Sequence, residues 1–322
     1  MRGTVVGVLR GGPSREHEVS LQTGHAILNN LDQERFTPRD IYIDKKGVWH
    51  VHGKETSPSR ALHSVDVVMI GLHGEYGEDG EVQKVLERHG VAYVGSDPFA
   101  SFLAMHKVLT KERAKEHGVL TPRYQFVESL ADRDAVIAEV IRSFPQPVVV
   151  KPVKWGSSVG ISMVSGYAPI YRAVTSLLEE GSGGVLIEEL IKGTEASVTV
   201  VERMRGEDLY TPPPVEIIPP EDDFFSYDAK YTGVTEEICP GRFSPEIAAE
   251  LEHAARTMHQ ALGLRHYSRS DFIVSPKGVY FLESNTLPGF TAESLAPKSL
   301  AAVGVSFPQF VSHLIDLAHT KA

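Results

Sequence analysis

The stretch Arg265–Pro297, RHYSRSDFIVSPKGVYFLESNTLPGFTAESLAP, decides the reading of this chain. Two short apolar runs, Asp271–Val274 and Val279–Glu283, flank Ser275, Pro276, Lys277 and Gly278. Strand-forming runs about a Pro/Gly turn predict a β-hairpin. A three-residue loop of Pro276, Lys277 and Gly278, with Gly278 at positive φ, places Asp271 opposite Glu283. Alternation along the strand then sends Asn285 to the side of Glu283. Two readings stand for these residues. The acids are solvated groups on an exposed strand face, or they form a hard-oxygen site suited to Mg²⁺ completed by phosphate oxygens. Arg269 lies two residues before Asp271, as an ion-pair partner or as a group that holds a developing oxyanion.

The rest of the chain bounds the class. Its 322 residues are enough for two or three domains. The formal net charge is −10, which argues against a broad nucleic-acid footprint. The one cysteine, Cys239, cannot make an intrachain disulfide, which fits a reducing cytoplasm. No apolar run has the length of a membrane span, and the start is interrupted by Arg10, too early for a secretory signal.

From the N-terminus, Thr4–Leu9 reads as a buried strand, Gly11 to Pro13 as a break, and Glu16 to Leu31 as a helix, the opening of an α/β unit. The turn lacks the third glycine of a dinucleotide fingerprint. Glu16 reads equally as a first-turn acid favouring the helix dipole. The strand Val65–Leu72 leads to His73 at its C-terminal end, where open α/β sheets bind ligands; a structural histidine is the competing reading. A helix and the strand Val91–Gly95 follow. Ser96–Ser101 reads as a linker and the next helix starts near Ala104.

Pro147–Lys151 is a buried strand ending in lysine. Gly156-Ser157-Ser158-Val159-Gly160 fits the G-x-S-x-G string, so a serine hydrolase acting through Ser158 is a reading to weigh. The elbow needs a strand immediately before and a helix after. Here Pro152–Trp155 intervene and ISMV follows, so a phosphate-binding loop of backbone N–H groups and hydroxyls is the better reading, with Lys151 supplying charge. Val185–Leu190 and Glu195–Arg203 read as strands of an acidic hairpin, or as an edge that holds a base and, through Glu195, a ribose. Residues 204–243 read as a long irregular segment with a lid at Phe224–Gly233. Ser244 and Pro245 start an amphipathic helix that Gly263 ends.

These pieces together resemble the D-alanine–D-alanine ligase family of the ATP-grasp superfamily. The matching stretches are GGPSREHEVS, HGEYGEDGEVQ, YVGSDPFAS, VVVKP with GSSVG, VLIEELIKGTE, YDAKY, and RSDF with ESNTLPGFTAESLAP, in the family's order. The resemblance implies an α/β fold, a Rossmann-like parallel sheet domain at 1–96 followed by an ATP-grasp pair of α+β subdomains at 97–184 and 185–322. It implies ATP, two Mg²⁺ ions (or Mn²⁺ in their place), two D-alanine molecules, a cytoplasmic homodimer, and no nucleic-acid or membrane partner. The implied reaction is ADP-forming ligation of two D-alanines through a D-alanyl phosphate, serving peptidoglycan synthesis, with D-lactate or D-serine as alternative acceptors.

The resemblance also assigns residues. Lys107 and Lys151 would hold ATP phosphates under Ser157 and Ser158, while Glu188 and Glu195 meet adenine and ribose. Asp271, Glu283 and Asn285 would bind the metal. Glu16 would hold the first D-alanine's ammonium, linked through Ser157 to Tyr231, with His73 by its carboxylate. Arg269 and the Gly289 N–H would form the oxyanion site, and Lys230, Ser294 and Leu295 would receive the second D-alanine. The chain departs from the family pattern at Lys84, Phe102, His106, Lys154, Trp155 and Phe290.

Overall fold

The computed structural model describes residues 3–156, 159–219 and 235–320. Three sheets are laid down in chain order. The first has strands β1 (Thr4–Gly11), β2 (Phe36–Ile43), β3 (Trp49–Val51), β4 (Lys54–Thr56), β5 (Val67–Ile70) and β6 (Ala92–Tyr93), ordered β4-β3-β2-β1-β5-β6. Its β2-β1-β5-β6 half is parallel, and β3 and β4 add antiparallel strands at one edge. The central strands read as unbroken β-branched runs because helices cover the sheet. Helices α1 (His17–Asn30) and α3 (Glu81–Arg88) belong to this layer, and α2 (Pro58–Ala61) is one short turn. Gly11 is obligatory: at φ +90° a Cβ there would lie 2.3 Å from the Ile43 carbonyl oxygen.

Ser96–Ser101 is not a linker. Asp97 caps a helix α4 (Pro98–Met105) by accepting from the Ala100 N–H, and Pro98 sits in its first turn. His106 then ends α4 and caps α5 (Lys107–Glu116), so two helices occupy the span read as one.

The second sheet is antiparallel, ordered β7-β10-β8-β9 from Tyr124–Val127, Val185–Glu189, Val148–Pro152 and Ser162–Val164. Helices α6 (Arg133–Ser143) and α7 (Tyr167–Glu179) close a core of its own with Ile137, Val140, Ile170 and Val174. Strand β10 lies between β7 and β8, so hydrogen bonds of this sheet run across the seam expected between 184 and 185.

The third sheet is built on β11 (Thr194–Met204), which pairs with β12 (Glu207–Tyr210), β13 (Val215–Ile218) and β15 (Tyr267–Ser275). Strand β14 (Glu236–Ile238) extends one side and β16 (Gly278–Asn285) the other. Strands β10 and β11 therefore belong to different sheets and are not a hairpin. The described part of 204–243 holds three short strands, each carried by a neighbour rather than by its own periodicity. The helix α8 (Pro245–Ala261), capped by Ser244, covers this sheet with Leu251, Ala255 and Met258. After α9 (Leu295–Ala301), the final helix α10 (Phe307–His319) returns to the first sheet, and Phe310, Val311, Leu314 and Ile315 join the core of Val6, Val8 and Val68.

Candidate active site

The β15–β16 hairpin makes the centre of the site. Asp271 pairs with Glu283, as expected, and Arg269 with Asn285. The route differs. The ladder closes on Ser275 and Gly278, leaving a two-residue loop, and a bulge at Leu282 shifts the register between Asp271 and Phe272. A bulge re-aims the side chains beyond it; here it brings Glu283 level with Asp271 while Phe272 and Phe281 stay in the core.

Asp271 is held by four donors. Arg269 gives Nε to Oδ1 at 2.9 Å and Nη2 to Oδ2 at 2.8 Å, Ser197 gives its hydroxyl to Oδ1 at 2.7 Å, and Asn285 Nδ2 reaches Oδ2 at 3.3 Å. Burial works against the Arg269 charge, but Asp271 outweighs it and raises the guanidinium pKa. Glu283 pairs with Lys107 Nζ at 3.3 Å, and that ammonium also donates to the Trp155 carbonyl at 2.7 Å. Two carboxylates beside an amide side chain, which here turns its NH2 to Asp271 and would present its oxygen on flipping, are a donor set a hard divalent cation takes, with sides left for phosphate oxygens. Among the described residues no group of three or more His, Cys, Asp or Glu side chains gathers as a metal site, here or elsewhere.

A cleft runs between the second and third sheets. Val149, Ile161, Leu190, Ile217 and Ile273 give it apolar walls, and Lys151, Glu188, Glu195, Asp271 and Glu283 stand along it. An apolar slot with cations and acids at its ends fits a base, ribose and phosphates in line. At its floor Lys151 Nζ lies 2.9 Å from Glu188 Oε2. Burial pushes the Glu188 pKa up, and Lys111 and Lys151 together pull it below the usual carboxylate value.

A larger cleft of about 470 Å³ lies between the first and third sheets. Glu16, His73, Arg269, Asp271, Glu283, Asn285, Gly289, Ser294 and Leu295 all face it. The Glu16 carboxylate sits where loops of two domains meet: a Cβ on Gly74 would come 2.7 Å from its Oε2, and one on Gly156 3.4 Å. His73 uses both ring nitrogens within the protein, Nε2 accepting from the Thr23 hydroxyl at 2.8 Å and Nδ1 donating to the Leu287 carbonyl at 3.1 Å. It braces the end of β5 against the loop that carries Gly289. The Ser294 hydroxyl accepts from the Thr291 N–H at 3.1 Å, which fixes the turn between Gly289 and α9. Ser157, Ser158, Lys230 and Tyr231 lie outside the described residues.

Two charged groups at the site are not singled out by the sequence. Glu78 lines the larger cleft, and its carboxylate stands 3.5 Å from His73 Nδ1. Burial raises its pKa, partly offset by the hydrogen bond with His73. Lys111, wholly buried, puts Nζ 2.9 Å from Glu188 Oε1 and 2.7 Å from the Thr121 hydroxyl. Its spacing of four from Lys107 was the available signal, since i and i+4 share a helix face.

The departures have structural accounts in three cases. His106 accepts from the Leu109 N–H, supplying the cap at the start of the helix that carries Lys107. Its pKa is lowered by burial and then by the Lys154 charge. Trp155 takes the Arg15 guanidinium over its ring at 4.6 Å, so a first-domain loop rests on the second-sheet domain. Phe290 packs with Tyr267, Phe307 and Phe310 beneath α10. Nothing in the structure explains Lys84 beyond its surface pair with Glu81.

Comparison with known proteins gives one answer across the chain. A family profile described as D-ala D-ala ligase C-terminus matches residues 114–316, and one described as D-ala D-ala ligase N-terminus matches 5–61 and 52–96. The chain is 35% identical to the D-alanine–D-alanine ligase of Carboxydothermus hydrogenoformans over 97% of both chains. It is 37% identical to that of Geobacter sulfurreducens, over 100% of this chain and 96% of the relative. Among solved structures, the VanG D-Ala:D-Ser ligase of Enterococcus faecalis superposes with a TM-score of 0.87 at 30% identity, covering 98% of this chain and 100% of that one. The D-alanine–D-alanine ligase of Bacillus anthracis complexed with ATP superposes at 0.81 with 27% identity, covering 99% and 98%. With its three sheets, the cleft between the second and third, and this agreement over nearly its whole length, the chain belongs to the D-alanine–D-alanine ligase family.

Proposed function

We propose that the protein joins two D-alanines into D-alanyl-D-alanine, converting ATP to ADP and phosphate, for peptidoglycan precursor synthesis. The observation that carries this is the meeting of the two clefts at Asp271 and Glu283, which face both. A nucleotide in the apolar slot would present its phosphates where the larger cleft presents a carboxylate. Two anions repel, so cations must gather there. Lys107 and Lys151 supply two. Asp271, Glu283 and Asn285 would hold Mg²⁺, which when bound screens the phosphate charge.

In this reading the first D-alanine sits with its ammonium toward Glu16 and its carboxylate toward the junction. Transfer of the γ-phosphoryl group to that carboxylate gives an acyl phosphate and ADP. The amine of the second D-alanine, seated near Ser294 and Leu295, attacks the acyl carbon and phosphate leaves. Arg269 and the Gly289 N–H are the donors toward the tetrahedral oxygen. The second D-alanine attacks only after its ammonium has given a proton to solvent and freed the nitrogen lone pair, and the nitrogen loses one further proton to solvent as phosphate leaves, so the rate rises with pH until the ammonium is deprotonated.

The test is phosphate release from ATP and Mg²⁺ with and without D-alanine, with the product identified. D-Alanine-dependent release with an equal amount of dipeptide supports the reading. Release that depends only on D-lactate, or a product carrying D-serine, would replace it. The D-serine reading has its own support, the likeness to a D-Ala:D-Ser ligase. Labelling of Ser158 by a fluorophosphonate would instead favour hydrolase chemistry. We further propose a cytoplasmic homodimer; among the described residues no helix is long and apolar enough to cross a membrane. For the domains we propose the expected division with the second seam moved past Glu189, because β10 hydrogen-bonds within the second sheet.

A further inference from the structure

Lys111 has no part in the reaction as set out above, yet it is a lysine with no exposed surface. A charge so placed is expensive unless paired. Its partner is Glu188, which is 3% exposed and carries Lys111 on Oε1 and Lys151 on Oε2, each at 2.9 Å. The Thr121 hydroxyl accepts a hydrogen bond from Lys111, the ammonium meets Glu188 Oε1 as an ion pair outside hydrogen-bond geometry, and the Tyr124 ring lies 5.9 Å from Nζ. The three charges therefore form a buried line, Lys111, Glu188, Lys151, and only Lys151 of the two lysines faces the nucleotide-shaped slot.

The arithmetic of charge gives this line its use. Glu188 with Lys151 alone is a closed ion pair of net charge zero. With Lys111 added the line carries one net positive charge, and its outer end is Lys151. Resting on the ATP-site reading above, we propose that Lys111 is a positioning residue: it occupies one oxygen of Glu188 so that Lys151 keeps a net positive charge for the nucleotide's phosphates. Lys111 reaches no phosphate itself. It fixes the Glu188 rotamer from behind and offsets its charge.

Calorimetric binding of ADP and of adenosine to the full chain in EDTA tests this, because without metal the charge that meets the phosphates is the protein's own. The quantity read is the ratio of adenosine Kd to ADP Kd. Lys111→Met, and separately Lys111→Gln, which keeps a neutral polar group beside Glu188, should each lower that ratio about tenfold or more, as expected when a unit charge about 12 Å from the phosphates is lost in a medium of effective dielectric about 20. The double variant Lys111→Met with Glu188→Gln restores one net positive charge and should bring the ratio back to near that of the wild type. Glu188→Gln alone, with two uncompensated lysines, should not lower it. A merely structural lysine predicts no such rescue. An unchanged ratio in both single variants, or a loss the double variant does not restore, overturns the proposal. A wild-type chain that binds adenosine but gains nothing from the phosphates overturns it too. A wild-type chain that binds neither ligand removes the ATP-site reading beneath it.

Discussion

Arg269 holds Asp271 with both arms of its fork, Nε on one carboxylate oxygen and Nη2 on the other, at 2.9 and 2.8 Å. Such a two-point pair fixes both the acid and the guanidinium plane, which one ammonium could not do. Asp271 keeps Ser197 and Asn285 when Arg269 is removed. Arg269→Ala should therefore stay folded and lose about 10² to 10³ in kcat, the usual cost of one oxyanion donor. Arg269→Lys should recover part of that loss. Steady-state kinetics at saturating ATP checks it, and kcat within threefold of wild type in Arg269→Ala would remove Arg269 from the oxyanion site.

Glu78 is a carboxylate with 13% of its side chain exposed and a pKa above the usual value, chiefly through burial. The native state thus binds its proton more tightly than the unfolded chain does. Stability is lost as pH rises from the ordinary carboxylate value through the native one. Glu78→Gln removes that cost, so the variant should melt higher than wild type at pH 7. The gap should shrink as pH falls toward the ordinary carboxylate value, because the native group takes up its proton before the unfolded one does. Melting curves at the two pH values decide it, and an equal or inverted gap at pH 7 would refute the assignment. Lower ligase activity in the same variant would place the acid in the substrate cleft.

Burial drives the Lys111 pKa down to about 8, with Glu188 only partly offsetting it. The native protein gives up this proton before the unfolded chain does, so the cost of burying the ammonium is full below pH 8 and fades as pH rises toward 10.5. Nucleotide affinity should move the other way. Glu188 stays ionised over this range, and burial and Glu112 hold the Tyr124 hydroxyl well above it. Between pH 7 and pH 9 the ADP advantage over adenosine should fall in the wild type and stay flat in Lys111→Met. Parallel slopes in the two proteins would assign the pH dependence to another group.

Phe290 is 1% exposed, with ring centroids of Phe307 and Phe310 at 5.1 Å and of Tyr267 at 5.6 Å. Phe290→Ala should cost about 3 to 5 kcal/mol. The loss should fall on the docking of α10, so limited proteolysis should cut the C-terminal helix first. Phe290→Met, an apolar swap that keeps most of the side-chain volume, should cost less than about 1.5 kcal/mol. Urea unfolding of the two variants measures both, and an equal cost would mean that the ring contacts, not the filled volume, carry the stabilisation.

Some of this was written in local sequence. The β1 run, the break at Gly11 and the cap and apolar spacing of α8 each follow from a few neighbouring residues, because backbone propensity and period act over short range. The pairing of Asp271 with Glu283 was also legible, since two strand runs and a turn fix a register to within one residue. Tertiary structure decided how that register is reached. A three-residue loop predicts the pairing directly, whereas the protein uses a two-residue loop and a bulge at Leu282. Phe281 stays under α8 in the core, and the extra residue returns Glu283 to Asp271; the packing of Phe272 on Phe281 sets where the bulge falls. The short strands β12 to β14 were illegible because their partner β11 lies elsewhere in the chain, and α4 because its cap and proline resemble a turn. Lys111 reads as one more charge on a polar helix. It is a buried cation only because β10 brings Glu188, 77 residues later in the chain (188 − 111), against it, and burial and charge compensation are properties of the assembled sheets that no local spacing encodes.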